Sequence, residues 1–378
     1  MPTSTTDILF FAEDPGAANY IFHLPGSCKE RGFYSKVICT GKAENIFKKH
    51  SVDYMTASSF PCTSEIFHKI KPKVLVTGTS ENPESLGHFL VKKAKELKIP
   101  SIAAVDAFMN AGHRFRGETI DPFAYAPDWI FVPDEWTKKE FVDLGFPNNR
   151  AVVCGHPHYD FVHQKASEFS FAGKDKLRDR FFPSIDEKGI VAIFALEQQG
   201  GLNKKQFEKS EEYSLPGRGG NTRNEIVLEE FLSIIEDLNE KPYLVLRLPP
   251  KSEPSEFKSF IDKFDMISQK ETAIEIVFAA DCVFGMTSMI LLEAAIMGCP
   301  TFSIVPRLIE KNWLPTIRYG LTVCASTREE LRSTLPKFIR NISSKRISDS
   351  KELFYFGATQ RVASFIEDII KGNKITAS

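Results

Sequence analysis

The stretch Ala279-Ala280-Asp281-Cys282-Val283-Phe284-Gly285-Met286-Thr287-Ser288-Met289-Ile290-Leu291-Leu292-Glu293-Ala294-Ala295-Ile296-Met297-Gly298-Cys299-Pro300 decides how the rest of the chain is organised. It predicts a short buried strand and a small-residue turn beginning at Gly285. A helix over Met289–Met297 follows, capped by Ser288, and a Gly-x-Pro stop leads into another strand. A helix that starts right after a strand presents free backbone amides at the carboxyl edge of a sheet, where phosphate is held well. Glu293, somewhat more than one turn further, can face the same crevice and accept hydrogen bonds from ribose hydroxyls. The same residues also allow a plainer account, in which Thr287 and Ser288 only cap a helix and Glu293 is a solvated surface group.

Short apolar strands alternate with helical stretches on both sides of this segment, the pattern of parallel α/β sheets. In the first half the strands are expected at Ile8–Ala12, Ser35–Thr40, Val74–Thr77, Ser101–Val105, Trp129–Val132 and Ala151–Cys154. Helices are expected over Ala17–Arg31 (interrupted at Pro25), Lys42–Lys49, Ser85–Leu97 and Thr137–Leu144. A second series of strands is expected at Ile190–Ala195, Tyr243–Leu248, Ile274–Phe278, Cys282–Phe284 and Thr301–Val305, with helices near Asn224–Leu238 and Ser255–Phe264. Two α/β units joined around His158–Ser184 therefore predict two Rossmann-like domains, 1–160 and 161–348, followed by a long helix within 349–378. The polar, glycine-rich segment Gln198–Arg223 admits two accounts, a solvated excursion or a mobile lid.

Composition narrows the function classes. The chain has 378 residues, enough for two domains with separate cores, and its hydrophobic (42%) and charged (26%) fractions are ordinary for a globular protein. A net charge of −1 supplies none of the basic field that nucleic-acid partners require. The seven Cys are scattered, without a Cys-x-x-Cys pair, so a metal cluster or disulfide framework is not expected and a reducing cytosol fits. The opening residues lack the basic start and long apolar core of a signal peptide, and no apolar run approaches a bilayer span. A cytoplasmic protein is expected, with peripheral contact at the inner face of a membrane left open. Phe is abundant at 32 residues, which predicts generous cores.

Three strand ends in the first half carry groups suited to chemistry. Glu13-Asp14-Pro15-Gly16-Ala17-Ala18-Asn19 follows the first strand. Asp14 suits an N-cap, Pro15 a first helical position, and Gly16 close approach of a ligand to the backbone. With Gly16 alone in place of G-x-G-x-x-G, a nicotinamide dehydrogenase is disfavoured. Thr77-Gly78-Thr79-Ser80-Glu81 follows another strand. Asp106, with Asn110, His113 and Arg114 beyond it, follows a third. A carboxylate and an imidazole near one strand end suit a general base and its partner, so Asp106, Asp14 and His113 are the catalytic candidates. The competing account has Asp14 and Asp106 capping their turns and His113 on the surface.

The segment around Thr287 and Glu293 resembles the donor-binding motif in the C-terminal domain of GT-B sugar-nucleotide enzymes. It is most similar to that of lipid-A-disaccharide synthase, hydrolysing UDP-N-acetylglucosamine 2-epimerases and CDP-glycerol glycerophosphotransferases. The resemblance implies two Rossmann-like domains facing across a cleft, with a C-terminal helix crossing back to the first. It makes Gly285, Thr287 and Ser288 the contacts of the donor diphosphate and Glu293, seven residues before Pro300, the ribose ligand. Arg247, in Val245-Leu246-Arg247-Leu248-Pro249-Pro250-Lys251, and Arg307 fall where related enzymes meet donor phosphate, with Lys251 an alternative to Arg247. Gly16 and Thr79 fall at turns facing acceptor or donor, and Asp106 falls where the epimerases carry a catalytic Glu. Gly155-His156-Pro157-His158-Tyr159-Asp160 resembles the Gly-x-Pro-x-x-Asp ending of the first domain, and so predicts hinge structure in preference to a metal site.

The implied activity is a metal-independent, cofactor-free glycosyltransferase. It would move a sugar from a nucleotide-diphosphate donor to a carbohydrate or lipid-linked hydroxyl acceptor, in cell-surface polysaccharide or glycolipid biosynthesis. The chain departs from the epimerase pattern at Thr79, where an acid is absent, and after Phe194-Ala195-Leu196-Glu197, where His and Arg are absent. Pro249 replaces the His of the glycerophosphotransferases. These departures keep two rivals open, a hydrolysing nucleotide-sugar 2-epimerase and a non-catalytic sugar-nucleotide-binding protein of the same fold.

Overall fold

A computed structural model describes residues 6–186, 189–198, 207–249, 252–342 and 354–373. The chain divides into two compact units, Met1–Phe161 with Phe354–Ser378, and Val162–Leu353. Each is an α/β unit built on a parallel sheet.

The first sheet contains β1 (Ile8–Ala12), β2 (Ser35–Cys39), β3 (Met55–Thr56), β4 (Val74–Gly78), β5 (Ser101–Ala104), β6 (Trp129–Val132) and β7 (Ala151–Val153). Their order is β3-β2-β1-β4-β5-β6-β7. Every residue of β1 is buried, as expected for a central parallel strand covered by helices on both faces. The helix Pro15–Ile21 lies close against β4: a Cβ on Gly78 would stand 2.2 Å from that of Ala17. Only glycine at this strand end lets the helix come so near.

The second sheet contains β8 (Val191–Ala195), β9 (Tyr243–Arg247), β10 (Met266–Ser268), β11 (Cys282–Gly285), β12 (Thr301–Ile304) and β13 (Thr322–Ala325), ordered β10-β9-β8-β11-β12-β13. Its core is aromatic. Phe231 on the helix Arg223–Glu236 packs between Phe194 and Phe284, with ring centroids 4.8 and 5.0 Å away. Phe302 and Phe338 extend the cluster. Much of the Phe content is thus spent on ordinary core packing.

In both sheets the strand order reverses once, between β1 and β4 and between β8 and β11. Ligands of open α/β sheets bind outside the carboxyl ends of the strands at such a reversal. The expected turns at Asp14, Thr79, Glu197 and Thr287 fall at these two places.

Several expectations are corrected. Ile274–Phe278 is not a strand but lies in the helix Ala273–Ala279, packed on the helix Lys174–Phe181. The β-branched run imitates a strand, yet a crossover is needed to bring the chain from parallel β10 to parallel β11, and this segment supplies it. The junction at His158–Ser184 is mostly helical, with Pro157–Ala172 and Lys174–Phe181 separated by Gly173 at φ 91°. The stretch Ala17–Arg31 is interrupted as expected, but at Phe22 and His23, not at Pro25, which lies in the first turn of the second of the helices Pro15–Ile21 and Leu24–Glu30. The strands β3, β10 and β13 were not anticipated.

The C-terminal helix, Ala358–Lys371, packs on the first unit through Val362, Ala363 and Ile366. Arg31 pairs with its Glu367 at 2.7 Å. Asp160, the acid of the Gly-x-Pro-x-x-Asp run, caps this helix by accepting from the Gly357 and Thr359 amides at 2.7 and 2.9 Å. Gly155, at φ 77°, leaves room for the same segment, since a Cβ there would lie 2.5 Å from the Tyr355 carbonyl. No helix among the described residues is long and apolar enough to cross a membrane.

Candidate active site

At the carboxyl edge of the first sheet, the ends of β1, β4 and β5 bring together Glu13, Asp14, Thr79, Ser80 and Asp106. Asp106 Oδ1 takes hydrogen bonds from Arg114 Nη1 at 3.2 Å and Thr79 Oγ1 at 3.3 Å, and Arg114 Nη1 also donates to Thr79 Oγ1 at 2.6 Å. Arg114 is 5% exposed and further fixed by the Met109 carbonyl. Asp106 is therefore a held carboxylate whose charge has a partner. Its Oδ2 lies over Gly16, where a Cβ would stand 1.8 Å from it. Gly16→Ala should force Asp106 off its partners and cost about 1–3 kcal/mol of stability by urea unfolding. If the packing clash is the cause, adding Asp106→Ala should recover most of that loss.

Asp14 is in a different state. It occupies the N-cap position of Pro15–Ile21 but makes no side-chain cap bond, so the capping account fails for its carboxylate. Burial, then the charges of Glu13 and Asp106, push its carboxyl up to about 6, against a partial offset from a Ser80 hydrogen bond. A half-buried carboxylate titrating near neutrality is suited to accept a proton. Glu13 instead accepts from the Leu86 amide at 3.2 Å, at the start of the helix Leu86–Glu96.

His113 is not the partner of Asp106. It is exposed at the end of the short turn Ala111–His113, and Arg114 takes the place expected for it. The histidine that meets Asp106 is His156, buried, hydrogen-bonded to the Asp106 backbone and stacked on Tyr159. Burial, then His158 and His23, hold its pKa far below the usual imidazole range, so it is a neutral structural group. Among the described residues no group of His, Cys, Asp and Glu has the arrangement to hold a metal ion.

In the second unit the carboxyl ends of β8, β9, β11 and β12 bring Glu197, Arg247, Thr287 and Arg307 to one edge. Ser288 caps the helix Met289–Ile296 by accepting from the Ile290 amide at 3.3 Å. The expectation of open amides at 287–289 needs one correction. Thr287 N–H donates to Glu197 Oε1 at 2.5 Å, and Thr287 Oγ1 sits 3.2 Å from the same oxygen. The Ser288 and Met289 amides have no protein acceptor among the described residues, as the first turn of a helix requires.

Behind Glu197 stands a buried ion network. Arg223 opens the helix Arg223–Glu236, whose start is fixed by a Thr222–Glu225 capping box. Its guanidinium pairs with Glu197 and with Glu310, and Nη2 reaches Thr287 Oγ1 at 3.2 Å. Burial alone would lower the Arg223 pKa, but the two carboxylates outweigh it and hold the group above its usual range. Glu310, fully buried, also accepts from Arg307 Nε at 2.6 Å. Arg307 packs beside the rings of Trp313 and Tyr213, and its Nη2 is buried without a protein partner.

Arg247 is engaged more deeply than expected. It donates to Ser268 Oγ at 2.7 Å and to the Glu271 carbonyl at 2.9 Å. Burial lowers its pKa, against offsetting charges on Glu271 and Glu293. Half-buried Glu293 therefore lies within electrostatic reach of Arg247 at the end of β9. Lys251 and residues 199–206 of the expected lid lie outside the described residues. The described remainder of that segment is pinned: Ser214 N donates to the Pro306 carbonyl at 2.7 Å, and Leu215 is fully buried. A cavity of about 610 Å³ opens at the opposite, amino edge of β8 and β9, around Asp186, Lys241, Tyr243 and Lys263. The carboxyl edge differs from it in that buried charged groups converge there.

Sequence reasoning missed Arg223 and Glu310. The Thr222-Arg223-Asn224-Glu225 run carries a legible capping signature, but nothing in it distinguishes a buried Arg from a solvated one. Glu310 gave no local signal at all.

Two parallel-sheet Rossmann-like units, with the last helix returned to the first, define the GT-B class of fold. No protein family and no curated protein sequence matches this chain. Among solved structures it is similar to the UDP-GlcNAc 2-epimerase of Neisseria meningitidis bound to UDP-GlcNAc, with 11% identity and a TM-score of 0.69 over 96% of this chain and 100% of that one. It is also similar to the Methanocaldococcus jannaschii UDP-GlcNAc 2-epimerase in complex with UDP-GlcNAc and UDP (15% identity, TM-score 0.66, 96% and 99% covered). The wall teichoic acid polymerase TagF shares the fold at 13% identity and a TM-score of 0.58, with 97% of this chain and 89% of that chain covered. At these identities the likeness is one of fold.

Proposed function

We propose that this protein is a sugar-nucleotide enzyme, and specifically a metal-independent glycosyltransferase that uses a nucleotide-diphosphate donor. The observation that carries the reading is the pairing, at the carboxyl edge of the second sheet, of a capped helix start at Ser288 with the half-buried acid Glu293 one turn on. Donor diphosphate binds at Gly285, Thr287 and Ser288, where the Ser288 and Met289 amides are free of acceptors among the described residues. Glu293 takes the ribose hydroxyls, and Arg307 offsets charge on the leaving nucleotide. Asp14 is the base that deprotonates an acceptor hydroxyl, with Asp106, already paired to Arg114, as a positioning group.

The solved relatives in complex with UDP-GlcNAc or UDP make UDP-sugars the first donors to try. A thermal-shift screen against UDP-, CDP-, GDP- and CMP-linked sugars identifies the base, because a ligand of the native state raises apparent stability. Glu293→Ala should then weaken binding of that nucleotide by about tenfold or more, as loss of a charged hydrogen bond to ribose predicts. Full affinity in this variant, measured by calorimetry, removes the ribose assignment.

The epimerase reading is favoured by the named activity of two relatives and opposed by this chain's own strand ends. Thr79 stands where a catalytic acid is expected and Leu196-Glu197 where His and Arg are expected. Incubation with UDP-GlcNAc and no acceptor separates the two. Free N-acetylmannosamine with UDP means epimerisation, whereas transfer that depends on an added acceptor means glycosyl transfer. Tight binding with neither product supports a binding protein.

A further inference from the structure

The Glu197 carboxylate holds the place of an anion. Three donors converge on it: the Thr287 amide, the Thr287 hydroxyl and Arg223 Nη1. A peptide N–H after a strand, a threonine hydroxyl and a guanidinium are the donors that commonly hold non-bridging phosphate oxygens. We propose that Arg223 and Thr287 form an anion site for a phosphoryl or diphosphate group, occupied here by Glu197, and that ligand enters by exchanging with this side chain. The proposal deepens the donor-site reading above, and rests on it only for the choice of a phosphate-class ligand.

The network is built so that one carboxylate can leave. Arg223 has two carboxylate partners, and they differ in access. The Glu310 side chain is 0% exposed, whereas that of Glu197 is 20% exposed. Losing Glu197 leaves Arg223 paired with Glu310, which it shares with Arg307, and the entering anion replaces the charge that leaves. The Glu197 backbone is separately fixed, because its carbonyl accepts from Asn224 Nδ2 at 2.7 Å. Exchange therefore needs rotation of one side chain and no movement of β8. The network also has a donor to spare: Arg307, 5% exposed and joined through Glu310, keeps Nη2 without a protein acceptor among the described residues. An incoming dianion would also be better matched to these cations than the single charge it replaces.

Calorimetric titration of the full-length protein with inorganic pyrophosphate tests this, using wild type, Glu197→Gln and Glu197→Asp, each first shown to unfold cooperatively. Removing the competing charge in Glu197→Gln should tighten pyrophosphate binding about tenfold, or about 1.4 kcal/mol. Glu197→Asp, which keeps the charge but shortens its reach, should tighten it less and guards against a folding defect in the first variant. Unchanged or weaker pyrophosphate binding in either folded variant overturns the proposal and makes Glu197 a structural member of the network. Pyrophosphate has no ribose, so the outcome is independent of Glu293. Tighter pyrophosphate binding without any nucleotide-sugar binding would keep the anion site and discard the donor reading. Nucleotide-sugar binding that depends on Glu293 but not on Glu197 would do the reverse.

Discussion

Asp14→Asn should lower kcat by about 10²- to 10⁴-fold, the contribution expected of a positioned general base. In the wild-type enzyme, kcat/KM should rise with pH through a midpoint near 6 and level off above it, because Asp14 must be ionised to accept a proton. Glu13→Gln should move that midpoint downward, since the Glu13 charge is the largest cause of the shift after burial. A profile whose acidic limb stays in place in Glu13→Gln would assign it to another group.

The same substitution makes a second, opposite prediction for stability. The folded-state pKa of Asp14 is raised from 3.8 to about 6, so protonation favours the folded protein. Its stabilising contribution is complete below about 3.8 and is lost as pH rises through about 6. At pH 7.5 the ionised group is therefore a burden on the fold, and Asp14→Asn should raise Tm there while removing turnover. A residue kept only for capping would show the reverse, with Tm falling and activity little changed.

Arg223→Met should be the most damaging single change to the second unit, costing about 3–5 kcal/mol in urea unfolding. Methionine fills much of the space but takes the cation away from partly exposed Glu197, while fully buried Glu310 keeps Arg307 as a partner at 2.6 Å. The cost comes from the lost pairs and from the Glu197 charge left without a cation. Arg223→Met combined with Glu197→Gln should consequently be more stable than Arg223→Met alone. If the double variant is no better, the loss lies in packing at the start of the helix Arg223–Glu236.

Local pattern carried a good deal of this structure. The runs at β1, β8, β9, β11 and β12 are short, apolar and bounded by small or turn residues, and each is a strand within a residue of its expected limits. Ser288 and Gly298 were legible because a cap and a stop act through their own backbone neighbours. The strands β3, β10 and β13 were not, since two to four residues at a sheet edge show no period. Ala273–Ala279 shows the opposite failure, where β-branched composition favoured a strand and the required crossover made a helix.

The sequence by itself determined the class of fold, two parallel α/β units, and the strand ends at which chemistry could occur. Those properties follow from hydrophobic spacing and turn residues, which act over a few positions. Only the tertiary structure decided which charges meet. It set Arg114 in place of His113 on Asp106, left Asp14 without a cap bond, and set Glu197 against the Thr287 amide with Arg223 and Glu310 behind it. Glu197 and Thr287 are 90 residues apart, and Arg223 and Glu310 are 87 apart. Coulomb interaction between them depends on distance and burial, and neither is written in the local order of residues.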